Sequence, residues 1–168
     1  MLRAARAEPT RLAIGIDADA ASMRSSATRI SRRRTYAANA IFVVSAVEQL
    51  PEDLAGVADR VTITFPWGSL LRGLITGADA ILGPLARVTS ARADVTVMWS
   101  ILPHDVAAVG VPPLLDEVLV ERFDRHGLAV KEIRPASIEE IRATGSSWAK
   151  RLGAGSSRPV TRLLATRR

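Results

Sequence analysis

Apolar residues in this chain gather into short runs separated by polar stretches of helical character, and that alternation sets the first expectation for its fold. Leu12–Asp17, Ala40–Ser45, Val61–Thr64, Asp94–Ser100, Leu128–Ile133 and Pro159–Leu164 are brief and rich in aliphatic or β-branched side chains, and they read as strands. Ala18 to about Arg33 has helical composition and turns strongly basic, and Leu70–Val88 suits a helix broken near Gly77 or at Gly83–Pro84. Pro51–Leu54 looks like one helical turn. Leu114–His126 carries apolar residues at helical spacing and ends before Gly127, a good C-cap, while Ser137 with Glu140 three residues on reads as a capping box. Residues 101–113, with Pro103, Gly110, Pro112 and Pro113, read as a loop, as do Gly153–Ser157. Strands separated by helices predict an α/β fold with a mostly parallel sheet, in one domain over residues 1–168.

Ligands of such sheets sit at the carboxyl ends of the strands. Asp17, Glu48 and Phe65–Gly68 all fall just after predicted strands, so they belong to one candidate ligand edge. A carboxylate at the position of Asp17 accepts hydrogen bonds from both ribose hydroxyls of a nucleoside-containing cofactor; equally, it caps the helix that follows. In Phe65-Pro-Trp-Gly-Ser-Leu-Leu71 an aromatic–Pro–aromatic turn leaves a strand directly and sets a flat surface at that edge, the alternative being a Trp67 packed into the core. Ser146-Ser-Trp-Ala-Lys-Arg151 places Trp148 beside Lys150 and Arg151, with Arg158 further on. Aromatic residues among cations suit an extruded base and its phosphates, and the alternative for Trp148 is an apolar anchor of the C-terminal segment.

Composition removes other classes of function. The absence of cysteine excludes disulfide scaffolds, thiolate metal sites and cysteine nucleophiles, and two histidines, His104 and His126, outside any ligand-spaced cluster argue against zinc. No apolar run approaches the roughly 18–20 residues of a membrane span. Met1–Arg6 carries charge without an apolar h-region, so a cytoplasmic location without a membrane partner is expected. Charge is distributed unevenly. Residues 1–35 hold eight Arg against three acids, residues 36–141 hold eight basic and fourteen acidic residues, and residues 142–168 hold seven basic residues and no acid. Two basic ends around an acidic middle fit a polyanion-facing surface, or else solvated basic tails.

The runs Ile14-Gly-Ile-Asp17, Phe42-Val-Val-Ser-Ala-Val-Glu-Gln-Leu-Pro51 and Thr62-Ile-Thr-Phe-Pro-Trp-Gly-Ser-Leu-Leu-Arg-Gly73, together with Ser146-Ser-Trp-Ala-Lys-Arg-Leu152 and Arg158-Pro159, resemble the 16S rRNA (adenine(1408)-N(1))-methyltransferases of the KamB/NpmA type. The likeness covers essentially the whole chain in order. It implies a Rossmann-like class I fold that uses S-adenosylmethionine to methylate N1 of an A-site adenine in 16S rRNA of the 30S subunit, giving aminoglycoside resistance. It also implies roles. Asp17 would hold the cofactor ribose and Val47 and Glu48 its adenine, with Ser69 and Ser146 lining the site. Phe65 and Pro66 would shape the methyl-transfer pocket, Trp67 and Trp148 would sandwich the target adenine, and Lys150, Arg151, Arg158, Arg29, Arg32 and Arg33 would grip rRNA phosphates. A monomer is expected, and no metal.

The resemblance also brings a difference. The family's first strand and Gly-rich cofactor loop have no counterpart before Leu2-Arg-Ala-Ala-Arg6, so the expectation is a chain that starts inside the first βαβ unit, Met1 standing where a valine codon served as a start. Weak cofactor binding, reduced stability and an inactive form follow from that expectation. Two other readings stay open at this point: a non-catalytic rRNA- or ribosome-binding remnant of the family, and an unrelated nucleotide-binding α/β enzyme.

Overall fold

The computed structural model describes residues 1–31, 37–110 and 116–168; Arg32 and Arg33 lie outside the described residues, as does the side chain of Arg29. The chain divides into two compact units, Met1–Leu50 and Pro51–Arg168. Among the described residues no helix is long and apolar enough to cross a membrane.

The first unit holds α1 (Leu2–Ala7), β1 (Ala13–Asp17), α2 (Ala20–Ser31) and β2 (Ala40–Val44). β1 and β2 pair in parallel, with Asp17 opposite Val44, and the Ser45 N–H donates to the Asp17 carbonyl at 3.0 Å to extend the ladder by one rung. The two strands thus end side by side. One side chain organises the entry: the Asn39 amide nitrogen donates towards the carbonyls of Ala5 (2.8 Å), Glu8 (3.1 Å) and Arg11 (2.7 Å), fixing the turn between α1 and β1. Such a donor gives partners to carbonyls that the end of a helix leaves without intrahelical bonds.

The second unit contains β3 (Ala58–Thr64), α3 (Gly68–Thr76), α4 (Asp79–Val88), β4 (Thr89–Trp99), α5 (Pro103–Val109), α6 (Asp116–Arg125), β5 (Leu128–Pro135), α7 (Ile138–Ala143), α8 (Ser147–Leu152) and β6 (Thr161–Arg167). Its sheet runs β3-β4-β6-β5. β3 and β4 are parallel, as the sequence leads one to expect, but β6 is antiparallel to both neighbours. The reason lies in the connection. After β5 the two short helices α7 and α8 stay at the carboxyl edge, so β6 enters from that edge, with Thr161 opposite both Trp99 and Pro135, and runs back. The α7–α8 arm is therefore held where a parallel sheet binds ligands.

Leu71, Leu82, Phe123, Val95, Val97, Leu128 and Leu163 are the large side chains buried most completely. Each contributes about 1.5–3 kcal/mol by leaving water. The helix expected over Leu70–Val88 is two: Gly77, left-handed at φ 65°, closes α3 by donating to the carbonyls of Gly73 and Leu74, and α4 restarts at Asp79. Pro84, the other candidate breaker, is carried inside α4. The segment read as a loop after β4 contains α5. Pro103 stands in its first turn, where a missing N–H costs nothing, and the Asp105 carboxylate accepts the Leu102 N–H at 2.9 Å.

Candidate functional site

In the first unit the candidate residues stand at the end of the β1–β2 pair. Asp17 is exposed there, and its Oδ1 accepts the Asp19 N–H at 2.9 Å. Capping of α2 falls to Asp19, which accepts the Ala21 N–H at 2.9 Å and the Ser22 hydroxyl at 2.5 Å. The Ser22 hydroxyl, followed by backbone N–H groups of Ser22 and Ala21, holds the Asp19 carboxyl below the usual carboxylate range. The sequence offered Asp17 two employments, and with the cap taken by its neighbour its Oδ2 remains for another partner. Beyond β2 the Ser45 hydroxyl donates to the carbonyls of Ala46 and Gln49, each at 2.9 Å, curling Val47–Gln49 into a single 3-10 turn. Val47 is half-buried on it and Glu48 exposed. A carboxylate at a strand end beside a short exposed turn offers the acceptors that the two hydroxyls of a ribose can donate to.

In the second unit the candidate residues are set by strain and packing. The Phe65 N–H continues the β3–β4 pairing by donating to the Met98 carbonyl at 2.7 Å, but its φ is 53°, a left-handed conformation that bulky residues rarely adopt. Pro66 is buried behind it, Trp67 is extended at φ −137°, and Gly68 is left-handed again at φ 58° before α3 begins. Two left-handed residues thus bracket Trp67 and turn it out of the sheet. The Phe65 ring faces inward and shares an apolar cluster with Met98, Ile141, Ala149 and Val160. Ile141 lies on α7 and Ala149 on α8, so this cluster fastens the arm to the end of the strand that carries the Phe-Pro-Trp turn.

Trp148 leaves α8 one position before Ala149. Of the three tryptophans Trp99 is 4% exposed and belongs to the core, whereas Trp67 and Trp148 expose 45% and 42%. The alternatives that buried Trp67 or used Trp148 as an anchor assign the burial to the wrong neighbours: Phe65 and Ala149 anchor, and the tryptophans project. Lys150 and Arg151 are exposed on the same helix, and Ser69 is exposed on the first turn of α3. The half-buried Ser146 caps α8 by accepting the Ala149 N–H at 3.2 Å.

Arg158 is employed inward. Its guanidinium is paired with Asp105 and donates to the Ser100 hydroxyl at 3.3 Å, with the two charged side chains 13% and 7% exposed. Burial pushes the Asp105 carboxyl up; the Leu102 N–H and the charges of Arg158 and His104 outweigh it, and the group rests below the usual range. The pair ties the turn after α8 to α5, and the Ser100 bond ties it to the end of β4. Neither Asp105 nor Ser100 was singled out in the sequence, although Leu102-Pro-His-Asp105 carries a readable signal, an acid at the third position of a helix opened by proline. Arg32, Arg33 and the side chain of Arg29, the other expected phosphate contacts, are outside the described residues.

Solved structures of the same shape place this fold among the S-adenosylmethionine-dependent methyltransferases. The 16S rRNA methyltransferase KamB matches 98% of this chain and 80% of its own at a TM-score of 0.82 and 27% identity. A mutant 16S rRNA (adenine(1408)-N(1))-methyltransferase from Catenulisporales acidiphilia, solved with its cosubstrate SAM, matches 98% of this chain and 79% of its own at a TM-score of 0.79 and 29% identity. The family model described as NpmA, 16S rRNA (adenine(1408)-N(1))-methyltransferase, matches residues 1–167. The enzyme of that name from Streptoalloteichus hindustanus is 29% identical over 167 residues, 93% of this chain and 76% of its own length. The chain belongs to the family of 16S rRNA (adenine(1408)-N(1))-methyltransferases.

Proposed function

We propose that residues 1–168 act as one methyltransferase domain that transfers a methyl group from S-adenosylmethionine to N1 of the A-site adenine of 16S rRNA, within the assembled 30S subunit. The observation that carries the reading is the exposure of Trp67 and Trp148 on two segments fastened to one apolar cluster. Rigid, outward-facing indole rings are costly to leave in water unless a flat partner covers them. In this reading Asp17 accepts the ribose hydroxyls, Val47 and Glu48 border the adenine of the cofactor, and Ser69 and Ser146 line the approach. Trp67 and Trp148 stack on the flipped base, Phe65 and Pro66 set the height of the first ring, and Lys150 and Arg151 face the adjoining phosphates. Arg158 braces the arm through Asp105, and Arg32 and Arg33 remain phosphate candidates on sequence grounds.

S-adenosylmethionine supplies an electrophilic methyl on a sulfonium. The chain needs no general base, because adenine N1 already offers a lone pair at neutral pH. Its residues orient the base, an effect worth up to about 7–11 kcal/mol in favourable cases. The base becomes cationic on methylation, and each stacked indole stabilises that charge by about 0.5–2 kcal/mol. A cytoplasmic monomer that protects its host ribosome from aminoglycosides is the setting this chemistry serves. The test is labelled methyl transfer to purified small subunits, followed by primer extension across the A site. Label with a new extension stop at one adenine supports the reading. Salt-sensitive binding without label would remove the enzyme reading in favour of the rRNA-binding remnant, and the absence of both label and binding would remove both readings.

A further inference from the structure

Four charged side chains at the root of the α7–α8 arm have no part in the reaction above. Arg134 on β5 and Arg162 on β6 stand directly opposite each other. Like charges in that register repel. Two carboxylates reconcile them in a closed ring. Glu140 takes Arg134 in a two-pronged grip at 2.6 and 2.8 Å and reaches Arg162 Nε at 3.4 Å, while Glu132 pairs with Arg162 and lies 3.4 Å from Arg134 Nε. A bidentate arginine–carboxylate pair fixes orientation as well as distance.

Glu140 also starts the arm. Its Oε2 accepts the Ser137 N–H at 2.8 Å, and the Ser137 hydroxyl accepts the Glu140 N–H at 3.2 Å, so one carboxylate both caps α7 and clamps it to the sheet. From there a short series of bonds leads to the tryptophan. The Thr144 hydroxyl donates to the Ile141 carbonyl at 2.7 Å and accepts the Ser146 N–H at 3.1 Å, and Ser146 caps the helix bearing Trp148. Both helices are six residues long and each buries a single side chain, Ile141 on α7 and Ala149 on α8. On α8 the half-buried Leu152 packs against the cluster beside Ala149, whereas α7 has Ile141 as its one buried side chain, and the ring supplies the second point of attachment at the root of the arm.

We propose that Glu140, held by Arg134 and Arg162, is a positioning residue for target recognition that acts through Trp148. The inference rests on the reading of Trp148 as a stacking platform, and its test separates the two. Binding of small ribosomal subunits is measured by competition for the whole chain, for Glu140→Gln, for Trp148→Ala and for the double variant. Arg134→Met serves as a second way to open the ring, and Glu121→Gln on α6 as a charge control. Glutamine keeps the shape of Glu140 and an acceptor for Ser137 N–H, so the fold survives. Glu140→Gln and Arg134→Met are each expected to weaken binding about five-fold, and neither to add anything once Trp148 is alanine, the non-additivity of residues acting through one another. If Trp148→Ala weakens binding but the glutamate substitution has no effect or multiplies with it in full, the positioning role is overturned and the stacking role stands. If Trp148→Ala leaves binding unchanged, both fall.

Discussion

Phe65 occupies a backbone conformation that its side chain disfavours and a position in the core that its side chain requires, and a pair of substitutions pulls these apart. Its φ of 53° is left-handed, it precedes a proline, and it is 6% exposed among Met98, Ile141, Ala149 and Val160. Removing the ring costs about 3–5 kcal/mol with either Ala or Gly, from lost burial and the cavity left behind. Ordinarily Gly is the worse of the two by about 0.5–1 kcal/mol, because it gives up more chain entropy on folding. At a left-handed position any residue with a Cβ carries about 1–2 kcal/mol of strain that Gly escapes. The two effects oppose, and the second is larger. Phe65→Gly should therefore be more stable than Phe65→Ala by about 0.5–1 kcal/mol, with both well below the parent. Urea unfolding followed by the buried Trp99 reads this within the second unit. If Gly falls below Ala by the ordinary margin, the backbone at Phe65 is not strained and the account of how Trp67 is turned outward is wrong.

Replacing Asp105 or Arg158 singly with alanine strands the partner charge, and unfolding experiments should show a loss of about 3–5 kcal/mol; a loss under about 1 kcal/mol would mean the pair is solvated. The Glu140 carboxyl is lowered to about 2, first by the Arg134 hydrogen bond and then by the Ser137 N–H. A depressed carboxyl stabilises the fold above its ordinary value and loses that contribution as pH falls, so the urea midpoint should drop between about pH 4.5 and 2, and Glu140→Gln should flatten that part of the profile. Asn39→Ala removes a donor shared by three carbonyls and should lower the protection of the first unit in hydrogen exchange by about 1–3 kcal/mol; Asn39→Asp, which turns a negative charge on those carbonyls, should cost more.

Most of the fold was legible because its strands are short apolar runs and its helix ends carry Gly77, Gly127 and Ser137. The direction of β6 was not, since strand polarity depends on which edge the preceding connection leaves from, a property of the α7–α8 arm as a whole. α5 was hidden by prolines, one of which opens the helix. For the site, residue type and position after a strand pointed to Asp17 and Trp67, and the neighbouring cations pointed to Trp148. They could not say which aromatic residue would be buried, because the choice between Phe65 and Trp67 rests on a left-handed turn. Arg158 drew attention as a cation near a tryptophan, and only packing shows that Asp105 claims its guanidinium. The Arg134–Arg162 opposition depends on cross-strand register, which a single sequence does not display.

The claim on which all this depends is that Trp67 and Trp148 hold the target adenine. Initial rates of labelled methyl transfer to small subunits should be compared for the parent, Trp67→Phe, Trp67→Ala and Trp148→Ala, alongside equilibrium binding of S-adenosylmethionine to each. Stacking predicts that each alanine lowers transfer at least about five-fold and that phenylalanine keeps part of it, with cofactor binding equal throughout, one ring being worth about 1–3 kcal/mol per base. Alanine variants that transfer methyl at the parental rate, or that lose transfer only by losing cofactor, would contradict it.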